Sequence, residues 1–297
     1  MSDISKSEER VGPSATQLGP QLVAFRRATG RIPLVLIAGE AGLADPFQAL
    51  APLLDEQQPL FGLHAVGADD DRDAGAAAIE DLAAYYLPQL NAVEADGPIV
   101  LGGFGVGALI AFELALRLHR TGRRVPLLVS FDGFAPGHPK RLPFYERAEM
   151  HLREFRQRGP RARLEYAAQR LDRLKRRLDG SLDDHTWEPV QSYPAPLERR
   201  LRAVDAALQR ARQHYATQER AACDLLLLRA SVTLDSPGCH IEPLYGWRHF
   251  VDGRIEAVCI PGSHAQLLRA SNRPLMADIL SRRLQDLNER ARRCSRA

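Results

Sequence analysis

The stretch Leu101-Gly-Gly-Phe-Gly-Val-Gly-Ala-Leu-Ile-Ala-Phe-Glu-Leu-Ala115 decides the fold. Gly97–Gly102 reads as a buried strand, Gly103–Gly107 as a tight turn, and Ala108–His119 as a helix closed by Thr121-Gly122. A strand that turns sharply into a helix between small residues has the layout of a nucleophile elbow, in which G-x-S-x-G lifts a serine above the sheet. Here the fingerprint is Gly103-Phe104-Gly105-Val106-Gly107, with glycine at the serine position.

Outward from the elbow, short apolar strands alternate with helical stretches, the pattern of a parallel sheet covered by helices. Arg31–Ala38 and Gln58–Ala65 are expected strands before it, and Ala76–Val93 is a helix with Ile79, Leu82, Ala83, Tyr86, Leu87 and Leu90 at helical spacing. Val125–Phe131 follows as a strand ending at Asp132-Gly133. From Gly137 to about Arg220 the pattern changes to long Arg-rich helices, read as an inserted cap. Strands return at Cys223–Arg229 and Ile255–Ile260, and Pro274–Arg293 is a final helix.

Composition bounds the function classes. The 297 residues are 45% hydrophobic, 26% charged and 6% aromatic with a formal net charge of +3, which excludes a disordered chain, collagen and a coiled coil. Apolar runs such as Leu34–Ala38 and Leu225–Leu228 fall far short of the roughly 20 residues that span a bilayer, so no membrane partner is expected. Residues 1–20 lack the basic start and apolar stretch of a secretory signal and read as a flexible leader. A cytoplasmic protein is expected, with Cys223, Cys239, Cys259 and Cys294 as reduced thiols. Cys239-His240 has no second pair at ligand spacing, and no metal site is expected. Lys140–Glu219 carries 18 Lys/Arg against 12 Asp/Glu, a charge suited either to an acidic partner or to a solvated helical face. Without interleaved aromatics to stack bases, nucleic acid is not expected.

The chain resembles the thioesterase family of the α/β hydrolases, the domains that release chains from polyketide synthases and nonribosomal peptide synthetases. The resemblance rests on Leu22–Arg27 with Ile32–Ile37, on Leu82–Gly107, on Phe131-Asp-Gly-Phe-Ala-Pro136, and on Tyr245–Phe250 with Ile260-Pro-Gly-Ser-His-Ala-Gln-Leu-Leu268. It implies an α/β-hydrolase fold with a mostly parallel central sheet flanked by helices, forming one domain over residues 21–297 with a helical lid at about 138–220. It also implies His264 as general base, Asp132 as its orienting carboxylate and Gly105 at the nucleophile position. The backbone N–H of Val106 would stand in the oxyanion hole beside an N–H from the Gly39–Gly42 loop, that of Glu40. The loop reads Ala38-Gly-Glu-Ala-Gly42 where the family has His-Pro-Ala-Gly-Gly, so Glu40 is either a solvated loop residue or a catalytic carboxylate.

No cofactor is implied; the substrate would arrive as a thioester on the phosphopantetheine arm of an acyl or peptidyl carrier protein. Arg173, Lys175, Arg176 and Arg177 are candidate contacts for an acidic carrier. Loss of a serine nucleophile costs about 10⁶ in rate, so ordinary acyl-enzyme turnover is not expected. Three readings stay open: direct activation of an incoming nucleophile by His264 and Asp132, a pseudo-thioesterase that only binds acyl chains or carriers, and deliberate removal of a native serine. Ser130 and Cys259 are poor substitutes, since both lie within strands, below the height of the elbow. The initiating methionine and leader suit a freestanding protein, although an excised module with an added start would read the same.

Overall fold

The computed structural model describes residues 15–39, 42–68, 78–157, 193–232 and 239–294, with positions 159, 168 and 171 besides. Its strands are β1 (Thr16–Gln17), β2 (Leu22–Arg26), β3 (Leu34–Ile37), β4 (Leu60–Leu63), β5 (Val100–Phe104), β6 (Leu127–Phe131), β7 (Lys140–Arg141), β8 (Asp224–Ala230), β9 (Cys239–His240) and β10 (Ile255–Ile260). The helices are α1 (Asp45–Gln48), α2 (Ile79–Tyr86), α3 (Gly107–Arg120), α4 (Phe144–Gln157), α5 (Ala195–His214) and α6 (Arg273–Cys294).

Among the described residues, eight strands form one sheet in the order β1-β2-β4-β3-β5-β6-β8-β10. Pairing is parallel from β4 through β10 and antiparallel only where β2 meets β1 and β4. This is the α/β-hydrolase arrangement that the sequence implies. Continuous apolar strands suit it, because a parallel sheet is covered on both faces and successive side chains point to opposite ones. Val35, Ile37, Leu225 and Leu227 pack on one face with α2, α3 and the Leu201, Val204 and Leu208 stripe of α5. Leu34, Leu36, Leu226 and Leu228 pack on the other with Phe47 and the Met276, Ile279, Leu280 and Leu284 stripe of α6. Burying each such side chain stabilises the fold by about 1.5–3 kcal/mol.

Two boundaries differ from the sequence expectation. The stretch expected to be a leader contains β1, whose Thr16 and Gln17 pair with Ala24 and Val23, so the sheet begins before residue 21. The helix expected over Ala76–Val93 is α-helical only to Tyr86 and continues as a 3-10 turn over Leu87–Ala92. Pro88 explains the change, since it lacks the N–H that an α-helix interior needs. None of the described helices is long and apolar enough to cross a membrane.

Candidate active site

Three glycines let β5, α3 and the end of β3 approach closely enough to form the elbow. A Cβ on Gly103 would overlap the Gly107 backbone, one on Gly107 would stand 2.5 Å from the Ile37 carbonyl oxygen, and one on Gly39 would collide with the Phe104 carbonyl. Gly105 sits at the apex with φ 53°. Its N–H donates to the Phe131 carbonyl at 3.0 Å, and its carbonyl accepts from Ala108 N at 3.1 Å. Such a left-handed backbone costs an L-residue roughly 1–2 kcal/mol and glycine almost nothing. Val106 is the first residue after the apex and caps α3. It therefore stands where the resemblance puts the first oxyanion donor.

Asp132 follows directly on β6, 5% exposed. His264 opens a 3-10 turn after β10. That turn is secured by Asn272, whose Nδ2 donates to the carbonyls of Pro261 and Gln266 at 2.8 and 3.1 Å, and by Ser263 N, which donates to Gln266 Oε1 at 3.2 Å. His264 Nδ1 and Asp132 Oδ2 are 2.9 Å apart. An ionised carboxylate only accepts, so Nδ1 carries the proton of the neutral imidazole and Nε2 carries its lone pair. The Phe104 ring stacks on the imidazole at 4.3 Å between centroids and brings it to the elbow.

Asp132 Oδ1 is held as well, by Ala230 N at 2.8 Å and the Tyr245 hydroxyl at 3.0 Å. Burial, together with the Asp132 charge, pushes the Tyr245 phenol well above its ordinary range, so it remains a donor. Trp247 Nε1 donates to the Gly133 carbonyl at 2.8 Å, fixing the turn after Asp132. Ala230, Tyr245 and Phe104 are site-building residues to which sequence reading gave no role. The two carboxylate donors lie 98 and 113 residues from Asp132, beyond any local spacing signal.

The structure thus brings together Gly105, Val106, Asp132 and His264. Glu40, proposed for its backbone donor and its carboxylate, lies outside the described residues, as do Arg173, Lys175, Arg176 and Arg177. Ser130 is fully buried, and its Oγ accepts from Gly133 N at 3.1 Å and donates to Gly133 O at 2.9 Å, which occupies it structurally. Cys259 is exposed on β10. Among the described residues no group of three His, Cys, Asp or Glu is placed to hold a metal ion.

The family model for the thioesterase domain matches residues 32–284. The chain belongs to the thioesterase-domain family. Among similar proteins, malpinin synthetase of Mortierella alpina is 24% identical, and the match covers 95% of this chain but 4% of that protein. Chondramide synthase of Chondromyces crocatus is 31% identical over 131 residues, 44% of this chain and 3% of its own length. The chain thus spans only a small fraction of such relatives. Among solved structures, the type II thioesterase BorB from the borrelidin biosynthetic cluster superposes with a TM-score of 0.63 at 21% identity, covering 91% of this chain and 99% of its own. The Vlm2 thioesterase domain superposes at 0.58 with 21% identity, over 88% of this chain and 96% of that one. At this level of identity the two superpositions speak for the fold.

Proposed function

We propose that this thioesterase domain acts on acyl thioesters carried on the phosphopantetheine arm of an acyl or peptidyl carrier protein, in polyketide or nonribosomal peptide biosynthesis. In this reading His264 activates the incoming nucleophile directly. The observation that carries it is the His264–Asp132 pair, at 2.9 Å, beside an elbow whose apex is Gly105. A scaffold that only binds has no physical need to hold an imidazole in one tautomer on a buried carboxylate.

The reaction runs in one displacement. A water, hydroxyl or amine occupies the space above Gly105 and attacks the thioester carbonyl while His264 Nε2 takes its proton; the imidazolium is stabilised by Asp132. The developing oxyanion is met by Val106 N–H and by the N–H of Glu40. Collapse of the tetrahedral intermediate breaks the carbon–sulfur bond, and the proton passes from His264 to the departing thiolate. Water gives hydrolysis, an intramolecular hydroxyl or amine gives cyclisation, and an external one gives acyl transfer.

In the same reading α4 and α5 form the lid over the site within residues 138–220. In support, Leu201 of α5 packs against Gly42 so closely that a Cβ there would stand 2.5 Å from Leu201 Cδ2. Arg173, Lys175, Arg176 and Arg177 take the acidic carrier, an attraction that salt weakens.

The alternative is a non-catalytic domain that binds acyl chains or carriers, and the missing nucleophile at Gly105 is what favours it. Mass spectrometry of a carrier-bound acyl thioester incubated with the native chain, Gly105→Ser and His264→Ala separates the two. Native turnover abolished in His264→Ala supports direct activation. No native turnover, with an acyl-enzyme adduct or hydrolysis only in Gly105→Ser, overturns direct activation and leaves a thioesterase scaffold that lacks only its nucleophile.

A further inference from the structure

Asp132, φ 55°, and Tyr245, φ 53°, are the non-glycine residues with left-handed backbones among those described. Such a conformation is unfavourable for an L-residue with a side chain and persists only where surrounding contacts over-determine it. The two residues come from different segments, 113 positions apart, and their side chains meet in one hydrogen bond of 3.0 Å. The turn after β6 and the segment before Trp247 are thus joined at the carboxylate that also holds His264.

The Tyr245 ring is fixed on several sides. It stacks on Phe134 at 4.2 Å between centroids, and the Arg229 guanidinium lies over it at 5.2 Å. Arg229 itself is anchored by a 2.6 Å hydrogen bond to the Pro243 carbonyl. The Tyr245 backbone donates to Glu242 O at 2.9 Å and accepts from Ala135 N at 3.0 Å, joining the segment before Trp247 to the turn after Asp132. Tyr245 is 1% exposed, which shields its hydroxyl from bulk solvent.

We infer that Tyr245 is a positioning residue that sets the proton affinity of His264 through Asp132. The carboxylate divides its charge among three donors: Ala230 N and the Tyr245 hydroxyl on Oδ1, and His264 Nδ1 on Oδ2. A hydrogen bond to a carboxylate stabilises its charge, and removing one leaves more of that charge to attract the imidazolium. The phenol thereby keeps the His264 imidazole less basic than a two-donor carboxylate would make it. The use of this tuning in catalysis rests on the proposed function; the tuning itself does not.

Its test is therefore made without substrate. In the full chain with ¹⁵N-labelled imidazoles, His264 is assigned by the signal lost in His264→Gln, and its titration midpoint is read by NMR. Tyr245→Phe is expected to raise that midpoint by on the order of half a pH unit. Tyr215→Phe is the control. It deletes an equivalent buried phenol, whose hydroxyl donates to Glu113 Oε2 at 2.9 Å, about two helical turns along α3 from the elbow, and leaves His264 where it was. Replacing Tyr245 by 3-fluorotyrosine keeps the ring and strengthens the donor, and moves the midpoint downward; it decides the matter alone if Tyr245→Phe does not fold. A His264 midpoint that stays within 0.1 unit, or moves as it does in Tyr215→Phe, overturns the inference. Turnover of an acyl thioester by the native chain is scored separately, so loss of one conclusion leaves the other standing.

Discussion

Phe104 and His264 lie face to face, ring centroids 4.3 Å apart and planes inclined by 27°. The residue before the elbow apex therefore forms a wall of the imidazole's seat, and Asp132 on the adjacent strand end supplies its proton acceptor. Phe104 is also 2% exposed in the core that includes Phe131 and Leu267. Phe104→Ala is expected to cost about 3–5 kcal/mol in urea unfolding. Phe104→Leu, which keeps apolar volume but no ring face, is expected to cost less and to broaden the His264 imidazole resonance. An unchanged resonance would reduce the stack to simple packing.

Backbone conformation at the apex makes a separable prediction. With φ 53° at Gly105, both Gly105→Ala and Gly105→Ser should lose roughly 1–2 kcal/mol of stability. Only the serine variant should then form an acyl adduct. Equal stability of all three proteins would show that the apex backbone relaxes on substitution.

The glycines around the apex differ from those in open turns. Gly103→Ala forces a Cβ into the Gly107 backbone and is expected to cost roughly 3 kcal/mol or more, because α3 must leave the sheet. Gly122→Ala, with φ 79° but nothing within 4 Å, should cost only about 1–2 kcal/mol. Denaturant midpoints of the two variants rank them directly.

Cys223 is buried, and burial above all, with Asp224 and Asp252 adding to it, pushes its thiol up to about 12 from an ordinary 9.0. At pH 8 an alkylating reagent should modify the exposed Cys259 and spare Cys223 until the chain is unfolded. The same shift has a sign for stability. Between the ordinary and the raised value the unfolded thiol has released its proton and the folded one has not, so stability is whole below about pH 9 and falls as pH rises toward 12. Cys223→Ala should flatten part of that alkaline decline.

The sheet was legible wherever the fold writes itself in consecutive residues. β3, β5, β6, β8 and β10 fall on the expected apolar runs, and Gly103-Phe-Gly-Val-Gly107 announces the elbow because close approach of strand and helix demands small residues in a row. The positions of Asp132 and His264 came from resemblance, and the structure places them 2.9 Å apart. What sequence could not carry is the support of that pair. Ala230 contributes a backbone N–H that any residue but proline would supply, and Tyr245 looks like one more core aromatic until its hydroxyl is seen on Asp132. The pairing of β1 with β2 escaped notice because a two-residue edge strand has no periodicity to read.

The site carboxylate gathers partners 98, 113 and 132 positions further along the chain. Every one of them is synthesised after the elbow, the sheet centre and the lid span. During translation at about 5–20 residues per second, the Asp132 carboxylate would wait on the order of ten seconds for its imidazole. The elbow can thus take shape on the ribosome before its imidazole exists, and the Asp132–His264 pair closes only as the last strand docks beside β8.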